Sequence, residues 1–237
     1  MNDQRLRALR RQAAGGDGEA RAKLLAERVR CGDLRAEALR SAALLGDGAA
    51  SAASGTPLPR PTEDFDTWLA RLESGGRRLL VQAGLVAARV VLPEWEREHP
   101  NDPSLVEGLQ AAEERFEGAE VDRYQAAERT RALARLVHDD PAAEAWAVLA
   151  AELGPEESPD PGAVVELTIR LRAARAAARA TWRVRRLVDL WEEGASRFTL
   201  EARAREVLID AAIAWVETPR LLERVSTQLR EQLLAPD

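Results

Sequence analysis

The sequence predicts an all-α protein, a multi-helix bundle or solenoid-like array with no β-sheet, and three observations carry that prediction. Ala, Leu, Arg and Glu, all favourable helix formers, dominate the composition. Apolar residues recur at three- and four-residue intervals, and no segment sustains the two-residue alternation of a half-buried strand. Helix stop and start signals also punctuate the chain at short intervals, from Gly16-Asp17 to Thr218-Pro219.

Residues 1–54 read as a helical-hairpin, repeat-like region. Gly16-Asp17, Gly32-Asp33 and Gly46-Asp47 are spaced so that each Gly can end a helix in the left-handed region and each Asp can cap the next. Helices are expected over 19–30 and 35–45. The stretch Ser51–Pro61 holds three prolines and a glycine. It reads as a strap, with 55–61 as the linker to a C-terminal bundle of about eight helices over 62–237.

The bundle should be organised around Leu79–Leu92, which is apolar over most of its circumference and therefore buried among other helices. Its polar residues Arg78, Gln82 and Arg89 fall on one narrow stripe. Arg89 is expected partly inside and in need of a carboxylate or carbonyl partner. Pro93 should bend or restart the helix, leaving Glu94–His99 as a short charged turn.

Further helices follow in order. One begins at Asp64 or Asp66 and another spans 103–116, with Asp102 as N-cap and Leu105, Leu109, Ala112 and Phe116 inward. A helix over 120–138 precedes a second cap at Asp140. The next places Ala142, Trp146, Leu149 and Leu153 on one face. A long helix over 163–191 has a seam that includes Leu167, Leu171, Trp182 and Leu190. Thr199 is expected to cap the helix after it, with Leu200, Leu208, Ala211 and Trp215 inward, and Thr218-Pro219 opens the last.

Charge is unevenly spread. The whole chain carries −6, but residues 93–160 hold 18 acidic and 6 basic side chains. That segment repels phosphate, so nucleic-acid binding is not expected, and a basic protein partner suits it better. The thirty-three arginines against the single Lys23 read as codon bias. Cys31 is the only cysteine, which excludes an intramolecular disulfide and a thiolate metal cluster. The first residues lack an apolar signal core, and 79–92 is too short to span a bilayer, so a soluble, cytoplasmic protein with no membrane contact is expected.

Motifs for chemistry are sparse. Glu96 and His99 have the Glu-x-x-His spacing of helical di-iron sites, but such sites need a second copy, and His138 has Arg135 where the glutamate should stand. The sequence has no P-loop, G-x-S-x-G or G-x-G-x-x-G. No catalytic, cofactor-binding or metal-ligating residue is assigned, and a non-enzyme is expected. Arg172, Arg175, Arg179, Arg183 and Arg186 form a basic stripe expected to pair internally with carboxylates of 93–160. Most tryptophans sit at core positions. Trp95, flanked by Glu94 and Glu96, is the expected exposed contact. The candidate partner-binding set is Glu94, Trp95, Glu96, Glu98, Glu107, Glu113, Glu114 and Glu117, with Arg89, Asp102 and Asp140 as structural polar groups.

The stretch Trp68–Phe116, carried by Gly76, LLVQAGLVAARVVLPEWEREHPNDP and LVEGLQAAE, resembles helical immunity proteins of bacterial polymorphic toxin systems. The Gly-Asp hairpins of 19–48 look like segments that precede this region in related proteins. The resemblance covers residues 19–116 and stops near 120. It implies a protein that binds and neutralises a cognate toxin. The alternative reading is a helical scaffold or adaptor in a multi-protein assembly, and a third is a metal-dependent helical enzyme.

Overall fold

The computed structural model describes residues 3–59, 64–118, 141–153, 158–215 and 218–235. Among them the chain is all-helical, with eleven helices and no strand. The order is α1 Asp3–Ala14, α2 Gly18–Cys31, α3 Ala36–Leu44, α4 Gly48–Ser54, α5 Phe65–Ser74, α6 Arg77–Glu98, α7 Ser104–Phe116, α8 Pro141–Leu153, α9 Pro161–Glu192, α10 Arg197–Ala214 and α11 Thr218–Leu234. The helix expected over 120–138 and the Asp140 cap lie outside the described residues.

Packing divides the chain into two compact units. One comprises Met1–Gln82 with Leu222–Asp237, the other Ala83–Leu221. The divisions fall inside α6 and α11, and the described part of the proline-rich segment, 55–59, belongs wholly to the first unit.

In the first unit, Gly16 and Gly46 take positive φ, and Asp17 and Asp47 cap the helices that follow. Asp47 does more than cap. Its Oδ1 accepts from Ala50 N at 2.8 Å, and its Oδ2 receives Arg21 Nη2 at 2.7 Å, which ties α2 to the start of α4. The middle pair departs from the pattern. Gly32 is left-handed, but Leu34 turns into the core and α3 starts behind Arg35, which makes no side-chain cap. The strap is also shorter than its prolines suggest. The Ala-rich segment behind Asp47 has the cap and the propensity to form α4 as far as Ser54. Leu25, Leu34, Leu39, Ala42, Ala43 and Ala50 form this unit's core, with Leu233 and Leu234 of α11 against it. Trp68 Nε1 donates to Ser226 Oγ at 2.9 Å in the interior, joining α5 to α11. Arg28 donates to the carbonyls of Leu234 and Ala235 at 2.7 and 2.8 Å, satisfying acceptors that the end of α11 leaves open.

In the second unit α9 is the common support, with α7, α8 and α10 packed against it. Its N-cap is Asp160, whose Oδ2 accepts from Ala163 N at 2.9 Å. Gly84 lets α6 approach closely: a Cβ there would lie 3.1 Å from Leu187 Cδ2 and 3.2 Å from Val184 Cγ2. Gly84→Val should therefore lower stability by about 1–3 kcal/mol through overpacking. Gly84→Ala should stay within about 1 kcal/mol of the parent, because helix propensity offsets a milder crowding. Urea unfolding of both variants checks this.

Three expectations for this unit are corrected. Pro93 does not end its helix; α6 continues to Glu98, and His99 N donates to Trp95 O at 2.8 Å. Pro93 and Arg89 both face solvent, so the Arg89 carbonyl that loses its donor can be hydrated. The cap of α10 is Ser196, whose Oγ accepts from Thr199 N, and Thr199 is already inside the helix. Trp146 and Trp182, expected inside, are 48% and 43% exposed.

Candidate functional site

The acidic set spans the end of α6 and the length of α7. Because α6 runs on through Pro93, Trp95 stays in helical register with Val91 and Leu92, and all three are buried. At 1% exposure Trp95 is a core residue and not a surface contact, which corrects the expectation for it. His99 stacks against its ring, with centroids 3.8 Å apart and planes inclined by 32°. Among the described residues no group of three or more His, Cys, Asp or Glu is placed to hold a metal ion.

The carboxylates separate into two classes. Glu94 pairs with Arg97 along the helix, Glu98 stands 3.5 Å from Arg170 Nε, and Glu113 takes a two-pronged contact from Arg89. Arg89 thus has the carboxylate partner expected of it, but from an exposed position. The Arg89–Glu113 pair fixes α6 to α7. The second class faces water: Glu96, Glu107 and Glu117 are exposed, and Glu114 is half-buried and accepts from Gln110 Nε2 at 2.9 Å. Asp102, expected as N-cap of α7, stands one residue before it: Pro103 takes the cap position and the Asp102 Oδ1 accepts from Ser104 N at 2.9 Å.

One cation in this region is internal. Arg115 is buried on α7 and donates through Nη1 to Asp189 Oδ1 at 2.6 Å and through Nε and Nη2 to Glu192. Burial disfavours its charge, but the hydrogen bonds it donates to Glu192 and Asp189 outweigh that and hold the guanidinium more firmly protonated than usual. Arg115 follows Glu113 and Glu114 and precedes Glu117, so it reads as surface until Phe116, Ala112 and Leu109 fix the inward side of α7.

Of the basic stripe of α9, Arg175 is buried, Arg179 and Arg183 are half-buried, and Arg172 and Arg186 are exposed, and the partners differ from those expected. Arg175 alone of the stripe has a described partner from 93–160, Glu144 of α8. Arg179 and Arg183 converge on Asp210 of α10. Arg179 Nε donates to Oδ1 at 3.1 Å, and Arg183 Nη1 stands 2.8 Å from Oδ2. Arg186 reaches Asp189 and Glu193 on its own helix. Asp210 is buried; burial raises its carboxyl above the ordinary range, and the two arginines pull it only partly back.

Large apolar side chains are also exposed on the later helices of the second unit. They include Trp146, Val165, Ile169 and Trp182 on α8 and α9, and Phe198, Ile209 and Ile213 on α10. The reading of α10 as having one apolar face missed the last three. The signal was present as a second line of apolar residues at helical spacing. The first unit holds a cavity of about 230 Å³ bordered by Arg35, Ser41, Arg77, Arg78, Gln82 and Gln232 among others. No described helix is long and apolar enough to cross a membrane. No family model matches the chain, and comparison with curated proteins and with solved structures finds no match.

Proposed function

We propose that this chain is a non-catalytic, immunity-like binding protein that holds a basic protein partner against the outer faces of α6 and α7. The observation that carries the reading is the division of the acidic set. Glu98 and Glu113 pair with arginines of neighbouring helices and Glu94 pairs along α6, while Glu96, Glu114 and Glu117 keep access to solvent on the same two helices. Fixed carboxylates with access to water steer a cationic partner and set its orientation. The likeness of Trp68–Phe116 to immunity proteins of toxin systems supports a toxin as that partner.

The test begins with recovery of the bound partner from the native host and measures its affinity by calorimetry over a salt series. Replacing Glu96, Glu114 and Glu117 together by Arg should weaken binding by about 10-fold or more and flatten its salt dependence. Glu113 is left intact, because its loss would loosen α6 from α7 and confuse binding with stability. Unchanged affinity and slope in the triple variant reject the reading. A second reading, a helical adaptor, draws on the hairpins that turn at Gly16-Asp17 and Gly46-Asp47. Recovery of a stable complex with several non-toxin proteins favours it.

A further inference from the structure

The cavity of the first unit is walled by three pieces of chain that the fold brings together: the start of α3, the turn into α6 and the end of α11. At about 230 Å³ it exceeds the roughly 150 Å³ apolar hole that accepts a benzene ring. Its wall is not apolar. Arg35, Arg77 and Arg78 stand on it against one carboxylate, Glu37, which is exposed. Arg35 lies just before α3, is itself exposed, and has no acidic partner among the described residues.

The start of α6 lies on the same wall. Gly76 precedes the helix and has no side chain with which to cap it. The first helical hydrogen bond runs from Leu80 N to Gly76 O, so the amides before Leu80 have no acceptor within the helix and form the positive end of its dipole. No acidic residue stands in that first turn.

A helix start alone does not make a site, and the second observation is Ser41. It borders the cavity, is 5% exposed, and its hydroxyl makes no hydrogen bond among the described residues. The other buried hydroxyls described are both satisfied: Thr181 Oγ1 donates to Ala177 O at 3.0 Å, and Ser226 Oγ accepts from Trp68 Nε1. A buried hydroxyl without a partner is costly, and here the open side is the cavity.

These groups select the ligand. Guanidinium forks, helix-start amides and a hydroxyl all donate, so the ligand must bring acceptors. A phosphomonoester carries about two negative charges near neutral pH, which match the excess of three arginines over one glutamate, and its oxygens suit the arginine fork. Gln82 and Gln232 both donate and accept, which suits hydroxyl groups, and Leu34, Ala38 and Leu79 give a short carbon body something to lie against.

We infer that the cavity of the first unit binds a small phosphomonoester with a hydroxylated body of a few carbons, its phosphate held by Arg35, Ser41 and the start of α6. The site uses none of the carboxylates assigned to a basic partner and stands or falls separately from that reading.

Calorimetry on the full chain tests this with glycerol 3-phosphate, inorganic phosphate, glycerol and glycerate, the last carrying a carboxylate in place of phosphate. Glycerol 3-phosphate should bind once per chain with a dissociation constant of about 1 mM or below in low salt. Inorganic phosphate and glycerate should bind more weakly, and glycerol not at all. Ser41→Ala and Arg35→Gln should each weaken glycerol 3-phosphate by about 10-fold, the worth of one charge-assisted hydrogen bond. Neither should unfold earlier than the parent on heating, because alanine favours the helix more than serine does and Arg35 is exposed. Arg40→Gln is the control: it removes an exposed arginine of α3 that does not border the cavity, and affinity should be unchanged. Absence of saturable binding, affinity indifferent to Ser41→Ala and Arg35→Gln, an equal loss in Arg40→Gln, or tighter binding of glycerate would each overturn the inference.

Discussion

Trp95→Ala should cost about 3–5 kcal/mol of stability, among the largest effects of any single substitution in the second unit. The side chain is wholly buried on α6, so truncation leaves a cavity and removes the stacking partner of His99. Trp95→Phe should cost clearly less than Trp95→Ala. It keeps the ring against His99, and it deletes no hydrogen bond, since Trp95 Nε1 has no partner among the described residues. Chemical denaturation followed by circular dichroism gives both values. A stability cost below 1 kcal/mol for Trp95→Ala, with lost partner binding, would instead return Trp95 to the surface role expected from its neighbours Glu94 and Glu96.

Asp210→Ala should cost about 3 kcal/mol, the low end of what breaking a buried ion pair costs, because Arg179 and Arg183 each keep some access to water. Without the carboxylate, Arg179 and Arg183, one helical turn apart on α9, lose the partner they share, and Arg183 keeps the Glu206 carboxylate at 3.9 Å. Asp210→Asn should cost less, as its amide oxygen can still accept from Arg179. The two variants should also differ from the parent in pH dependence. The folded state raises the Asp210 carboxyl above its ordinary value. Between about 3.9, the usual value for Asp, and the raised one, the folded state binds more protons than the unfolded. This group's contribution is therefore present at low pH and is lost as pH rises through the raised value. Subtracting the Asp210→Asn stability curve from the parent's isolates that slope, and a difference that increases with pH in this window would contradict the assignment.

Most of the fold was legible because it rests on local signals. The caps at Asp17, Asp47 and Asp64, and the apolar repeats of α7 and α11, act within one turn of their own residues, whereas the cap at Asp160 was missed inside what read as a loop. Two failures share a different cause. Pro93 was read by its local cost, but burial of Val91 and Leu92 before it and Trp95 after it holds one continuous helix, and solvent accepts the freed carbonyl. That single misreading moved Trp95 from core to surface. Charge gave the other failure. Sequence can say that Arg115, Arg179 and Arg183 need carboxylates, but the choice of Asp189, Glu192 and Asp210 is made by which helices pack together. The acidic set was legible as composition, and its split into bracing and solvent-facing carboxylates was not, because that split depends on where Arg89, Arg97 and Arg170 lie.

The grip of Arg28 on the last carbonyls of α11 has a consequence for how the protein comes off the ribosome. The first unit draws on residues up to 82 and again on those from 222 onward, while the second is one uninterrupted stretch between them. Synthesis delivers every residue of the second unit before the first can be closed. The early helices must wait, with Leu25, Leu39 and Trp68 lacking their cover, until the final helix emerges and Ser226, Leu233 and Leu234 arrive to shield them. The first unit thus starts before the second and closes after it, and the interval between is when its apolar surface is most open to a chaperone or to misassociation.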